Sequence, residues 1–340
     1  MSEQVKERLS RTKPEAIEHQ RLISTGSTLL DLAISGGRFD RGGVPGGILV
    51  EIFGPSGCGK TVLLCEMAGG VQRTGGMVRF NDPEGRLNEQ FASLFGFKVE
   101  DSDYKRPDTV PELFEPIIKW DPEVKDGAVN AVFADSLASL STDLELGPQG
   151  DKMGQRRAKE FSEECRKVCR VIANRGILVV CSNQVRQNID PNPWAEKYTT
   201  PGGMAVGFYA SLRLRCRPAQ RLTREKEIAG KKVKRVIGVE TEIEVYKNSV
   251  WEPFHTASVV IDYQYGIDDV RANLDFLKES LGLSSYNVLG DEIKLGVAME
   301  RAIKVVEESN LVDQLRDRAV EVWHDVEKRF ESKRQPRRRE

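Results

Sequence analysis

The chain has 340 residues, of which 39% are apolar, 30% charged and 7% aromatic. This length is sufficient for one large domain with appendages or for two domains. The 51 Lys and Arg residues nearly balance the 52 Asp and Glu residues, and a net charge of −1 argues against a protein that coats nucleic acid through bulk charge. No apolar run approaches the roughly 18 residues of a membrane span, so we expect a cytoplasmic protein with no membrane partner. Its six cysteines are expected to stay reduced.

The first 22 residues are polar and predict an arm rather than a domain. From residue 23, strand-like apolar runs alternate with helical stretches, which is typical of an α/β fold with a mostly parallel, twisted sheet flanked by helices. Strands are predicted at 48–53, 77–82, 128–135 and 177–184, and helices at 61–73, 86–95 and 156–174.

The pattern changes after residue 210. Three further strands, at 210–218, 233–247 and 256–263, are predicted as antiparallel additions to one edge of the sheet. Helical stretches at 271–281 and 292–329 then predict a small helical C-terminal domain over 268–330, after a core domain over 23–267. The last ten residues, 331–340, form a basic tail.

Residues 54–61, GPSGCGKT, match the phosphate-binding motif G-x-x-x-x-G-K-[ST] between an apolar strand and a helix. The glycines allow backbone N–H groups to surround phosphate oxygens, and the helix N-terminus adds positive potential. Lys60 would reach the β- and γ-phosphates of ATP, and Thr61 would ligate Mg²⁺. The residues expected at the nucleotide are Gly54, Pro55, Ser56, Gly57, Cys58, Gly59, Lys60, Thr61 and Val62. Cys58 is interpreted either as an oxidant-sensitive thiol or as a tolerated small residue.

Three polar residues lie where predicted parallel strands end, at the edge that holds the phosphate loop. Asp135 is the candidate second ligand for the metal, with a simple helix-capping role as the alternative. Glu84 is a candidate for orienting the attacking water, although a Glu in a turn is otherwise ordinary. The Gln184 amide could sense the γ-phosphate.

Several short strings occur in the order found in the RecA family of DNA strand-exchange recombinases, which the chain resembles from about residue 23 to 267. The strings are STGS at 24–27, GPSGCGKT at 54–61, DPE at 82–84, DS at 135–136, NQVR at 183–186 and FYASLR at 208–213. The last two are far more specific than the phosphate loop. A weaker similarity extends to about residue 296. The resemblance implies a RecA-type P-loop ATPase core that forms homo-oligomeric filaments on DNA, in which the arm at 1–22 would take part in oligomerisation.

The resemblance also assigns roles by position around the nucleotide. Glu84 corresponds to the catalytic glutamate, acting with Lys60, and Gln184 to the residue that couples γ-phosphate to DNA binding. Phe91 falls where the family stacks an aromatic ring on adenine, and Asn88 where it hydrogen-bonds the base. The remaining assignments are Tyr263 at the nucleotide, Phe208 at the subunit interface, and Lys247 as one of two lysines that reach ATP across that interface. Ser249 replaces the second lysine.

Two irregular stretches, 142–154 and 186–203, correspond by resemblance to the family's two DNA-binding loops, and long loops of this kind are usually functional. Trp194 is alternatively a plug that closes its loop, and Arg166 a solvated position on a helix. The residues expected to contact DNA are Lys152, Met153, Gly154, Arg156, Arg157, Ser162, Arg166, Arg186, Trp194, Gly202, Gly203 and Arg217.

Residues 217–235 hold eight basic residues and two acidic ones and predict a basic hairpin with its tip near Gly230. It is interpreted either as a second, weaker DNA site that captures duplex or as a solvated face. Glu242 and Glu244 stand where the family usually has basic second-site residues, and the chain ends in three arginines before Glu340 where many relatives are acidic.

These features predict an ATP-dependent recombinase that polymerises on single-stranded DNA and exchanges strands with homologous double-stranded DNA, with ATP and Mg²⁺ as cofactors. Two alternatives remain open at this point. One is a hexameric RecA-fold motor such as a helicase, and the other is a non-catalytic, RecA-like accessory protein that binds DNA.

Overall fold

The computed structural model describes residues 22–123, 125, 127–141, 153–187, 198–199, 204–218, 220–290, 292–332 and 334, and of 153–157, 186–187, 198–199 and 204 the backbone alone. The strands are β1 (Leu22–Ile23), β2 (Val44–Pro45), β3 (Leu49–Gly54), β4 (Val78–Asn81), β5 (Tyr104–Lys105), β6 (Ala131–Ala134), β7 (Leu178–Gln184), β8 (Arg186–Gln187), β9 (Tyr198–Thr199), β10 (Leu212–Cys216), β11 (Gln220–Ile228), β12 (Lys231–Asn248), β13 (Thr256–Asp262) and β14 (Gly266–Ile267). The helices are α1 (Thr28–Ser35), α2 (Lys60–Arg73), α3 (Glu89–Ser93), α4 (Val110–Lys119), α5 (Met153–Arg175), α6 (Met204–Tyr209), α7 (Asp269–Ser280), α8 (Met299–Glu308) and α9 (Val312–Phe330).

One large mixed sheet organises the chain, with the strand order β14–β13–β12–β10–β3–β7–β6–β4–β5 and with β11 paired to β12. The six strands from β10 to β5 are parallel, whereas β12, β13 and β14 are antiparallel. This confirms the predicted mostly parallel sheet. The prediction for 210–218 was wrong in one respect, since β10 pairs parallel to β3. Its alternating burial gives no information on strand direction, and the chain reaches it through a crossover that contains α6.

The central parallel strands β3, β6 and β7 are buried on both faces, which explains why their sequences are mostly apolar. In β3, Val50 and Ile52 belong to the core beneath α2, whereas Leu49 belongs to the core beneath α4 and α5. The second core includes Phe114 and Phe161, whose rings meet edge to face with centroids 6.2 Å apart. The sheet is therefore the middle of three layers.

Three predicted helices differ in their bounds. The helix expected at 86–95 begins only at Glu89, because the Asn88 side chain caps it by accepting from the backbone N–H groups of Gln90 and Phe91. The helix expected at 156–174 is α5, which begins earlier, at Met153. The single helix expected at 292–329 was wrong. It is two helices, α8 and α9, separated at Asn310, whose φ of 53° is left-handed.

The C-terminal helices enclose an apolar cluster of their own, which includes Leu274, Val306 and Leu315. They also contact the first helix of the core, because Trp323 packs with Leu32. A domain boundary near residue 268 stays a prediction. None of the helices in the described part of the chain is long and apolar enough to cross a membrane.

An ion pair lies buried inside the sheet beside the phosphate loop. The Glu51 side chain is fully buried on β3 and accepts from Arg213 Nε at 2.7 Å and from Asn183 Nδ2 at 2.9 Å. The Arg213 guanidinium also lies 4.5 Å from the ring centroid of Phe53. Removing one partner of such a pair leaves a buried charge without compensation, which is more costly than the pair itself is stabilising.

We predict that Arg213→Ala lowers the free energy of unfolding by about 3–5 kcal/mol, because it leaves the buried Glu51 carboxylate without a compensating charge. Urea-induced unfolding followed by circular dichroism measures this. Arg221→Ala, at an exposed position on β11, is the matched control and should change stability by less than about 0.5 kcal/mol. Equal unfolding midpoints for the two variants would contradict the assigned role of the buried pair.

Candidate functional site

The phosphate loop connects the end of β3 to the start of α2, as the motif predicts. Gly57 and Gly59 adopt φ angles of 76° and 89°, a left-handed conformation that other residues rarely adopt. A side chain at Gly59 would also collide with Ile261, whose Cδ1 lies 2.3 Å from the position of a Cβ. Such a glycine-rich loop at a helix N-terminus can direct backbone N–H groups toward a phosphate, at the positive end of the helix dipole.

Lys60 lies across this loop with its side chain almost completely buried. Its ammonium donates to the backbone carbonyls of Gly54 at 3.0 Å and Pro55 at 2.7 Å. A phosphate oxygen placed in the loop would compete for the same ammonium protons. Lys60 is thus held where the motif requires it.

Thr61 and Asp135, the two predicted metal ligands, lie together. The Thr61 hydroxyl donates to Asp135 Oδ2 at 2.5 Å, and the Ser182 hydroxyl donates to Asp135 Oδ1. Burial raises the pKa of Asp135, and the hydrogen bonds from Ser182 and Thr61 only partly offset this effect. The Thr61 hydroxyl at the start of α2 and the Asp135 carboxylate after β6 are oxygen ligands of the kind that Mg²⁺ prefers, so these residues fit the ion.

Glu84, the candidate for orienting the attacking water, is held by three hydrogen bonds. Its Oε1 accepts from the hydroxyls of Ser136 at 2.9 Å and Ser139 at 2.8 Å, and from Gln184 Nε2 at 3.4 Å. Burial would raise the pKa of Glu84, but the hydrogen bonds from Ser139 and Ser136 and the charges of Arg86 and Lys60 lower it below its ordinary value. The carboxylate is therefore ionised near neutral pH and able to accept a proton or orient a water.

These groups face one cavity of about 820 Å³. Such a volume is typical of small-molecule sites. Leu87, Asn88 and Phe91 also line this cavity, so both residues predicted to contact the base belong to the same lining as the phosphate loop. Their contact with a base stays a prediction. Phe91 is half-buried and packs edge to face on Phe95, with ring centroids 5.0 Å apart. The Asn88 oxygen is already engaged as the cap of α3.

Not every predicted nucleotide residue lines this cavity. Of the phosphate-loop motif, Ser56, Gly57, Lys60 and Thr61 line it, whereas Cys58 and Val62 belong to the core cluster. A hydrogen bond with Cys216 and the Lys60 charge lower the pKa of the Cys58 thiol to about 7 against the effect of burial. The thiol is 1% exposed, so its accessibility to oxidants is low.

Lys247 and Tyr263 also lie outside the cavity lining. The Lys247 ammonium donates to the backbone carbonyls of Gly207 at 3.0 Å and Phe208 at 2.8 Å, at the end of α6. The Phe208 side chain is 74% exposed, and Tyr263 is 56% exposed. An interface or nucleotide role for Lys247, Phe208 and Tyr263 stays a prediction.

Most predicted DNA contacts fall outside the described side chains. Lys152, Trp194, Gly202 and Gly203 lie outside the described residues. Met153 and Gly154 open α5, with Arg156 and Arg157 in its first turns, and Arg186 pairs with Thr199 in a short β8–β9 ladder at the base of the second loop. Within α5, Arg166 is exposed and Ser162 is half-buried.

Arg217 is engaged within the protein. Its guanidinium forms ion pairs with Glu242 at 2.9 Å and Glu244 at 3.4 Å, the two acids that stand where the family usually has basic residues. The predicted hairpin is confirmed, because β11 pairs antiparallel with β12 and the tip between them contains Ala229 and Gly230. The Arg217 charge at the base of the hairpin is therefore compensated by two acids.

Sequence reasoning missed four groups in the site: Ser136 and Ser139, which hold Glu84, Ser182, which holds Asp135, and Arg86. Arg86 Nη1 lies 2.8 Å from Glu84 Oε2. Ser136 and Ser139 lie within four residues of the predicted strand end at Asp135, and this proximity could have identified them as site residues. Nothing in the sequence indicated the Arg86 contact.

The strand, glycine-rich loop and helix, with carboxylates at neighbouring strand ends, define a P-loop protein. The family model of the RecA N-terminal domain matches residues 6–268. A protein RecA from Methylococcus capsulatus is 36% identical over 282 residues, which cover 81% of this chain and 76% of the relative. A protein RecA from Thermus thermophilus is 32% identical over 310 residues, which cover 88% of this chain and 85% of the relative. The chain belongs to the RecA family.

Among solved structures, a crystal structure of the RadB recombinase aligns with 72% of this chain and 98% of its own length, at 19% sequence identity and a TM-score of 0.49.

We predict that Phe91→Ala weakens ATP binding by roughly 5- to 150-fold, because stacking of a base on an aromatic ring contributes about 1–3 kcal/mol. Isothermal titration calorimetry measures the change, and Phe91→Tyr should restore the affinity. Met77→Ala removes an apolar side chain that is 42% exposed outside this cavity and should leave the affinity unchanged. Equal affinities for Phe91→Ala and the parent protein would place the base elsewhere.

Proposed function

We propose that this chain is an ATP-dependent recombinase that polymerises on single-stranded DNA, pairs it with homologous duplex and exchanges the strands. One observation carries the proposal: Glu84 Oε1 is held jointly by Ser139 and Gln184. Ser139 precedes the predicted DNA loop at 142–154, and Gln184 precedes the one at 186–203. The hydrolytic carboxylate therefore contacts residues just before both segments that the family resemblance assigns to DNA.

This arrangement supports a mechanical link between nucleotide and DNA. A phosphate that attracts the Gln184 amide would draw it from Glu84, where the donor–acceptor distance is already a long 3.4 Å. The end of β7 would move with the amide and bias the order of the following loop. Binding of DNA to that loop would, by linkage, favour the same arrangement at Glu84.

Each residue of the site has a defined role in hydrolysis. Lys60 exchanges its carbonyl partners for phosphate oxygens, and Glu84 orients a water molecule and accepts its proton. Thr61 and Asp135 would hold Mg²⁺, which neutralises phosphate charge when it is bound. Ser136 and Ser139 fix the Glu84 carboxylate, so that little reorganisation is needed when it accepts the proton.

We predict that Glu84→Gln lowers the turnover of ATP at least about 100-fold while ATP-dependent DNA binding persists, because the amide keeps the shape of the side chain but cannot accept a proton. Release of phosphate measures turnover, and fluorescence anisotropy of a labelled single strand measures binding. Glu89→Gln, an exposed acid in the first turn of α3, is the control for the charge change.

Lys60→Ala should differ from Glu84→Gln, because it removes the phosphate ligand. We expect it to abolish nucleotide-dependent assembly as well as turnover. Loss of DNA binding in Glu84→Gln would contradict the role assigned to Glu84.

Electron microscopy distinguishes a recombinase filament from a hexameric motor, because closed rings in place of helical filaments would favour the motor.

The β11–β12 hairpin supports the proposed second site for duplex DNA. Opposed residues in an antiparallel pair share a face, and the register places Arg224 opposite Arg235 and Lys226 opposite Val233. The other face pairs Glu225 with Lys234 and Glu227 with Lys232. One face of the hairpin is therefore basic, whereas the other is balanced in charge.

We predict that the double variant Lys226→Gln/Arg235→Gln flattens the dependence of log Kd for duplex DNA on log salt concentration by about 2, because each phosphate that is no longer neutralised reduces the slope by about 0.9. The matched control is Lys232→Gln/Lys234→Gln, which removes the same charge from the balanced face and should change the slope by less than half as much. Identical slopes for the two double variants would indicate that the hairpin is only a solvated face.

A further inference from the structure

We propose that Arg86 binds the terminal phosphate of the nucleotide from within the same chain and, by doing so, leaves its ion pair with Glu84. The inference rests on the proposed function, because it concerns the same nucleotide site. It adds a catalytic residue that neither the phosphate-loop motif nor the strand-end pattern contains.

The position of Arg86 follows from the turn after β4. Gly85, whose N–H donates to the Asp82 carbonyl at 3.0 Å and closes the turn, has a φ of 64°, a left-handed conformation that favours glycine. Both Glu84 and Arg86 consequently line the nucleotide cavity. Lys60 and Arg86 are the two cationic side chains among the described residues of that lining. Arg86 is thus placed where an anionic ligand would meet it.

The Glu84 carboxylate divides its partners between its two oxygens. Oε1 accepts from Ser136, Ser139 and Gln184, and Oε2 faces the Arg86 guanidinium at 2.8 Å. The first oxygen is anchored to the protein core. The second is the oxygen available to a water molecule, and the guanidinium competes for it.

The two partners of this ion pair differ in their exposure to solvent. The Arg86 side chain is 79% exposed, whereas Glu84 is 15% exposed. An ion pair with one solvent-exposed partner contributes little to stability, so exchanging it is inexpensive. A terminal phosphate carries more negative charge than a carboxylate and accepts a bidentate bond from the planar guanidinium. Arg86 should therefore prefer the phosphate when a nucleoside triphosphate is bound.

This exchange would make activation of the Glu84 carboxylate depend on the bound γ-phosphate. Without a terminal phosphate, Arg86 occupies the water-binding side of Glu84. With one, the same guanidinium neutralises phosphate charge and Glu84 Oε2 is open to a water molecule. A single residue would then both discriminate triphosphate from diphosphate and release the general base.

The test compares Arg86→Gln, which removes the charge, with Arg86→Lys, which keeps the charge but loses the planar guanidinium that can bind two phosphate oxygens. Calorimetry with a non-hydrolysable ATP analogue and with ADP, each with Mg²⁺, should show that Arg86→Gln weakens binding of the analogue at least about 10-fold. The affinity for ADP should change less than about 2-fold, because ADP lacks the γ-phosphate that Arg86 is proposed to bind. Turnover should fall about 100-fold or more, with partial recovery in Arg86→Lys.

The matched control is Arg106→Gln. The Arg106 guanidinium packs against Gly85, within 2.3 Å of the position of a Cβ, but it is outside the cavity lining. This control reports on any disturbance of the turn itself and should retain both affinities and turnover.

A second readout separates phosphate binding from a structural role. In the free protein Arg86 helps to keep Glu84 ionised by lowering its pKa. Arg86→Gln should therefore move the acidic limb of the kcat/KM profile to higher pH, because that profile reports on the free enzyme. The variant Arg106→Gln should leave this limb in place.

Three results would overturn the inference: equal reductions of affinity for the analogue and for ADP, unchanged affinity for both, or a rise in turnover in Arg86→Gln. The last result would show that Arg86 only restrains Glu84. If the parent protein does not hydrolyse ATP, the proposed function fails, while the comparison of the analogue with ADP still decides the role of Arg86.

Discussion

Parallel pairing of β3, β7, β6 and β4 is the constraint on which the site depends. It places Gly54 beside Gln184 and Asn81 beside Ala134, so the phosphate loop and the polar residues after each strand meet at one edge. Parallel strands need crossover connections, and α2 and α5 serve as two of them while also covering opposite faces of the sheet. The apolar faces thus determine where the polar edge lies.

The buried ion pair of Glu51 and Arg213 connects this edge to the exposed end of α6. Arg213 lies opposite Glu51 on one side and opposite Lys247 on the other. Lys247 in turn holds the carbonyls at the end of α6, beside the exposed Phe208 ring.

The sequence predicted what depends on local pattern and missed what depends on contact between distant segments. Apolar runs identified the central strands, and their ends identified Asp135, Glu84 and Gln184. The direction of β10 was wrong because alternating burial is the same in parallel and antiparallel strands. The break at Asn310 was missed because both helices carry one continuous amphipathic pattern, and α1 and α4 were missed despite capping residues at Ser27 and Thr109. The Arg86 contact requires a turn geometry that no periodicity encodes.

The net charge of −1 does not describe the local charge of the surface, because basic and acidic residues are unevenly distributed. Arg217 is neutralised by Glu242 and Glu244 at the base of the hairpin, whereas Lys226 and Arg235 share a face that carries no acid over the ladder from Thr223 to Ile228. Screening limits the reach of such a face to a Debye length, about 8 Å at physiological salt. A duplex site on the hairpin, as proposed above, would therefore act only on DNA that is already close to it. In the proposed filament, repetition of the hairpin along the length would supply that proximity, and duplex capture would depend on polymerisation rather than on the charge of one subunit.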